Sequence, residues 1–112
     1  MEILKETAQK IEELRILENN LHQFLMQKQT IQVELNEINN ALEEVKKSSG
    51  DIYKVSSNIM LKSEKNSILK ELEEKKKIFE IKINSIEKQE KIFEEKTEAL
   101  RKEVNSEITK KK

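Results

Sequence analysis

The sequence predicts an all-α dominated fold, a long antiparallel two-helix coiled coil with a single β-hairpin at one end. Three observations carry that expectation. Ala, Glu, Lys, Leu and Arg supply about half of the 112 residues, with no proline and one glycine, the composition of long helices and coiled coils. Along two stretches, apolar residues recur at alternating steps of three and four, the period that keeps one seam of a helix facing a partner. Between these stretches lie two short runs rich in Ile, Val and Tyr around a polar turn, which read as paired strands.

The first seam runs through Leu14, Leu17, Leu21, Phe24, Lys28, Ile31, Leu35, Ile38, Leu42 and Val45. Upstream, Leu4, Ala8 and Ile11 lie one position out of phase, so a three-residue stammer is expected near Ile11. Helix 1 is expected over about 3–46. Lys46 and Lys47 suit the negative end of its dipole, and Gly50 can take the left-handed conformation that commonly follows a helix. The hairpin is expected over about 51–62, turning at Ser56-Ser57-Asn58. Ser63 is the expected N-cap of helix 2, which covers about 63–108. Its seam is Leu69, Leu72, Lys76, Phe79, Ile83, Ile86, Glu90, Phe93, Thr97, Leu100 and Val104. Ile78, Ile81 and Ile92 flank it, as Ile16, Leu25 and Val33 flank the first, and widen both faces beyond a strict stripe. Lys28, Lys76 and Glu90 cost stability at seam positions but fix register. Residues 1–112 therefore form one unit, in which folding back at the hairpin places Phe24 near Ile86 to Phe93.

Two short strands alone are marginal in water and leave both edges unpaired. Alternation sets Ile52 and Lys54 on one face and Tyr53 and Val55 on the other, with Ile59 and Leu61 opposite in sense to Met60. Both faces thus carry apolar side chains. Ile52, Tyr53, Val55, Ile59, Met60 and Leu61 are the expected oligomerisation residues, and hairpins from several chains would assemble into an intersubunit β-barrel.

Much chemistry is excluded. Without cysteine there is no disulfide, thiolate metal site or thiol nucleophile. One histidine, His22, on a solvated edge, builds neither a metal site nor a catalytic dyad, and one glycine builds no phosphate-binding loop. No enzyme activity, metal or cofactor is expected. Glutamate pairs such as Glu12-Glu13 and Glu73-Glu74 interleave with lysines as solvated helix surface. Twenty-two basic residues balance 22 acidic ones, so no net field attracts nucleic acid or an acidic membrane. No apolar run reaches the length of a bilayer span or signal core, and the expected location is cytoplasmic.

At the helix ends far from the hairpin, Ile3, Leu4, Ile11, Leu14 and Leu17 on one helix meet Leu100, Val104 and Ile108 on the other, with no third element to cover them. Ordinary interhelical packing accounts for part of this. An uncovered apolar patch also marks a contact surface, here one for exposed apolar segments of other chains. Lys110, Lys111 and Lys112 form a charged tip suited to docking a protein partner.

The local sequence resembles the β-class subunit of the prefoldin family, archaeal type. Gln27-Lys28-Gln29, Glu34-Leu35, Ile38 and Ala41-Leu42-Glu43-Glu44 are similar to its first-helix segment. Asp51-Ile52-Tyr53-Lys54 and Asn58-Ile59-Met60-Leu61-Lys62 are similar to its strands, and Glu87-Lys88-Gln89-Glu90-Lys91 to its second-helix signature. The chain departs from the family at Ser56-Ser57, where a Val-Gly pair is usual. The α class carries two hairpins, and this chain has room for one. The resemblance implies an ATP-independent holdase of two α and four β subunits joined through a β-barrel. It implies that nonnative proteins are captured at the coiled-coil tips and passed to a group II chaperonin, with docking by the charged ends, while Gln27 and Lys28 are structural. The competing expectation is a structural coiled-coil adaptor for a dedicated folded partner, with 51–62 a mere linker.

Overall fold

The computed structural model describes residues 5–110, in the order α1 (Lys5–Lys47), β1 (Ile52–Ser56), β2 (Ile59–Ser63) and α2 (Lys65–Lys110). Contacts within the chain gather into two units. The terminal unit combines the described residues up to Lys28 with those from Asn84 onward, and the hairpin unit is Gln29–Ile83. In each, a stretch of α1 packs against a stretch of α2.

All ten first-seam positions and all eleven second-seam positions are buried or partly buried. In the hairpin unit the buried apolar residues are Leu35, Ile38 and Leu42, the last 4% exposed. In the terminal unit the Phe24 and Phe93 rings meet edge to face, with centroids 5.2 Å apart at 83°. That contact is the one expected from folding back at the hairpin. The flanking residues Ile16, Leu25, Val33, Ile78, Ile81 and Ile92 are all exposed, because the described residues supply no third element to cover them.

The expected phase shift near Ile11 is absent. Thr7 is 2% exposed and Lys10 partly buried, while Ala8 and Ile11 face water. The seam therefore keeps its step of three and four from Leu14 back to Thr7. Periodicity of apolar residues missed this because the two positions hold polar side chains, whose burial is tolerated once they are paired across the helices.

Both expected caps are also corrected. No glycine among the described residues has a positive φ, so Gly50 is not a left-handed cap. Instead the Ser48 N–H donates to the carbonyls of Glu44 and Val45, at 3.1 and 3.2 Å. The Lys65 ammonium donates to the carbonyls of Lys46 and Ser48, both at 3.0 Å. A side chain from the first turn of α2 thus satisfies the acceptors left open at the end of α1. Ser63 is not an N-cap either, since it ends β2 opposite Ile52. The first helical bond of α2 runs from the Ile68 N–H to the Glu64 carbonyl, which makes Glu64 the half-in residue.

The strands pair antiparallel with Tyr53 opposite Lys62, Lys54 opposite Leu61 and Val55 opposite Met60. Ser57 and Asn58 link them, with φ of 49° and 67°. Two successive left-handed residues define the tight turn whose twist matches paired strands. Asparagine tolerates that conformation better than serine, so Ser57 carries more of the local strain.

Candidate interaction surfaces

The hairpin is bound to its own helix through one strand face. The Lys54 ammonium donates to both carboxylate oxygens of Glu71, at 2.8 and 3.1 Å, and Lys75 stands 3.7 Å away. The bond from Lys54, followed by its charge and that of Lys75, holds the Glu71 carboxyl below the usual glutamate range. Lys62 and Asp51 lie 3.5 Å apart at the base of the strands.

Beyond that attachment the strands are bare. Tyr53, Val55, Ile59, Met60 and Leu61 are each more than half exposed, from 52% to 66%, and Ile52 is partly buried. The sheet has two strands, so among the described residues each strand has one edge without a ladder partner. Burying a large apolar side chain is worth about 1.5–3 kcal/mol. Five such residues left in water are a large unclaimed stabilisation, on a backbone whose edges are templates for further strands.

The terminal unit is mixed in character. Of the residues expected at its apolar tip, Val104 is 5% exposed and Ile11 is 38% exposed, while Leu14, Leu17, Leu100 and Ile108 are partly buried. Ile3, Leu4, Lys111 and Lys112 lie outside the described residues, and Lys110 closes α2. Leu17 and Leu100 come together in an open groove of about 470 Å³, with Ile16 and Ala99 as further apolar walls and Glu13, Lys96 and Glu103 at its rim. Leu14, Val104 and Ile108 do not line it. Ile16 is expected from the sequence only as a flank of the seam, and Ala99 is not singled out, because each stands one position before a seam leucine. A second groove, about 510 Å³, lies in the hairpin unit around Ile38, Ala41, Leu72, Ile78 and Phe79. Open apolar flanks follow from helices paired two at a time.

Outward of Val104 the contacts become polar. The Thr7 hydroxyl donates to Glu107 Oε2 and the Lys10 ammonium to Glu107 Oε1, both at 2.5 Å. Glu103 lies 3.7 Å from Lys10. The bond to Glu107, and then the charges of Glu107 and Glu103, hold the Lys10 ammonium above the ordinary lysine value against desolvation. At the inner end of the terminal unit, the seam residues Lys28 and Glu90 form an ion pair at 2.7 Å. The bond it donates to Glu90 raises the Lys28 pKa above its ordinary value. Two polar residues that weaken the seam singly thus meet one another, which penalises any shift of register by a heptad.

Thr97 has no such answer. It is 3% exposed, and its hydroxyl is buried without a hydrogen-bond partner. An unsatisfied buried hydroxyl costs about 1–3 kcal/mol. Thr97→Val keeps the β-branched shape and is expected to stabilise the protein by about 1 kcal/mol, raising Tm by about 4 °C. Thermal melts at fixed concentration check this, and a lower Tm would mean that the hydroxyl is satisfied in solution.

Among the described residues no group of His, Cys, Asp or Glu is placed to hold a metal ion, and His22 is exposed. No helix among them is long and apolar enough to cross a membrane.

Known proteins share this arrangement. The crystal structure of the prefoldin beta subunit from Thermococcus strain KS-1 superposes with a TM-score of 0.88 over 94% of both chains, at 29% identity. The prefoldin subunit beta of Saccharolobus islandicus is 35% identical over 96 residues, spanning 84% of this chain and 76% of that protein. That of Sulfurisphaera tokodaii is 31% identical over 99 residues, 87% of this chain and 79% of its own length. Residues 8–111 match the family described as Prefoldin subunit. With a single hairpin between two long helices and relatives named as beta subunits, the chain belongs to the prefoldin family.

Proposed function

We propose that this chain, whose family implies a chaperone role, is the β-type subunit of an ATP-independent holdase. Residues 1–112 act as one building block, contributing the hairpin residues Ile52, Tyr53, Val55, Ile59, Met60 and Leu61 to a β-barrel shared with other subunits, two of α class and four of β class. The observation that carries this reading is the bare hairpin, with five large apolar side chains more than half exposed on strands with unpaired edges. Strand addition from a sister subunit satisfies edges and faces together.

Assembly through the hairpin leaves the terminal unit free for clients. There Ile3, Leu4, Ile11, Leu14, Leu17, Leu100, Val104 and Ile108 supply apolar contacts to nonnative polypeptides, and the groove at Leu17 and Leu100 accepts a short apolar segment. A few such contacts bind weakly, and several chains in one assembly gain strength by avidity. Lys110, Lys111 and Lys112 would dock a group II chaperonin to which the client passes, in the cytoplasm. The function uses binding alone, without catalysis or cofactor.

The test is to remove residues 1–10 and 101–112, mix the chain with an α-class prefoldin subunit, and follow aggregation of reduced, denatured lysozyme without nucleotide. Full-length protein is expected to suppress aggregation, and the truncated protein to lose suppression while keeping the oligomer. Undiminished suppression would refute the tip assignment, and loss of the oligomer would refute assembly through the hairpin alone.

A further inference from the structure

We propose that Glu107 is a salt-sensitive latch, which closes the outer ends of α1 and α2 over Val104 and sets how much apolar surface the terminal unit offers a client. The inference rests on the client-binding reading above and adds its control. From Leu14 inward the seam of this unit is mostly apolar, interrupted by the Lys28–Glu90 pair and by Thr97. Outward of Leu14 it passes to Thr7 and Lys10, and the Glu107 carboxylate meets both, one oxygen on each. One side chain of α2 is thereby fastened to two successive seam positions of α1.

The two kinds of attachment respond oppositely to the medium. Apolar contacts persist or strengthen as salt rises, whereas a solvent-reachable ion pair is screened within a Debye length. The Lys10 and Glu107 side chains are 31% and 30% exposed, so ions reach the pair. The seam beside it is much drier, since Thr7 is 2% exposed and Val104, one turn before Glu107, 5%. Opening the latch therefore frees a charged pair that water accepts readily and uncovers an apolar side chain that it does not. Helix ends are where local opening is least costly. Here the ease of opening depends chiefly on the Glu107 carboxylate, with Glu103, 3.7 Å from Lys10, a looser second partner, and the product of opening is a wider apolar strip from Val104 toward Leu14 and Leu100.

The structural half is tested by amide hydrogen exchange on the full chain, assembled with an α-class subunit, in wild-type and Glu107→Gln forms. The variant is expected to exchange about tenfold faster at residues 9–13 and 103–108, with the amides around Leu35–Leu42 unchanged. Raising salt from 50 mM to 1 M is expected to bring wild type toward the variant. Equal exchange in the two proteins at low salt overturns the latch. The functional half uses Thr7→Cys with Glu107→Cys, a clean pair because the chain has no cysteine, joined by a short thiol-to-thiol crosslinker. Against reduced, denatured lysozyme blocked at its own thiols, the unjoined form is expected to suppress aggregation at a several-fold lower ratio than the joined form. Equal potency overturns the control of capture. Should the protein lacking residues 1–10 and 101–112 suppress as well as the full chain, the client-binding reading fails, while the exchange result still decides whether the latch exists.

Discussion

Val55→Asp combined with Met60→Asp is expected to abolish assembly and leave a monomer with both helices formed. The two residues face each other across the strands, and each is 66% exposed in the isolated chain. Aspartate there therefore costs a lone chain little beyond β-propensity. Within the proposed barrel the same positions would be covered by neighbouring strands, and burying an unpaired carboxylate costs several kcal/mol. Two per hairpin, repeated in every copy of this chain, exceed what the apolar faces return. Light scattering of the protein mixed with an α-class subunit should show the mass of a single chain, with a far-UV circular dichroism spectrum still dominated by helix. An undiminished oligomer would show that subunits meet elsewhere, and the open groove around Ile38 and Phe79 would then be the next surface to test.

The legible part of this protein was the part written in apolar spacing. Every seam position from Leu14 to Val45 and from Leu69 to Val104 is covered, because in a pair of helices one stripe alone can escape water and its period is fixed by helix geometry. The hairpin was legible for a different reason. β-branched residues, a polar turn and the single glycine interrupt two long helical patterns, and no helix accommodates that break. Its turn falls on Ser57 and Asn58, within the three polar residues expected to hold it.

What could not be read is where polar groups answer one another across a long gap in sequence. Thr7 and Glu107 are 100 positions apart, and nothing near Thr7 marks it as a seam residue, so the apolar Ala8 and Ile11 suggested a false phase. The ends of the helices failed for the same reason. Local signals favoured Gly50 and Ser63 as caps, yet tertiary structure supplied Lys65 to the end of α1 and drew Ser63 into the sheet. Lys28 and Glu90 were each visible as polar interruptions of a seam. That they interrupt the same layer, 2.7 Å apart, follows only once the register is set. The tip residues are divided by the structure, with Leu17 and Leu100 in an open groove and Val104 nearly dry, because one flank of a helix pair is open while its seam is not.

Leu42→Ala is expected to lower the unfolding free energy by about 3 kcal/mol, whereas Val33→Ala, nine residues earlier on the same helix, should change it by no more than about 0.5 kcal/mol. Leu42 is 4% exposed and Val33 57% exposed, so the first substitution opens a cavity and the second removes atoms that already touch water. Alanine also has the higher helix propensity, which favours the Val33 variant slightly and offsets little of the Leu42 loss. A two-helix seam has one apolar layer and no second shell to collapse inward, which keeps the cavity term in force. The measurement belongs in the Val55→Asp, Met60→Asp background, where melting does not depend on protomer concentration through assembly. A drop in Tm of more than about 10 °C is expected for Leu42→Ala. Equal, small shifts for both substitutions would mean that helix propensity rather than the seam holds this unit together, and with it would fall the account of why these two helices pair at all.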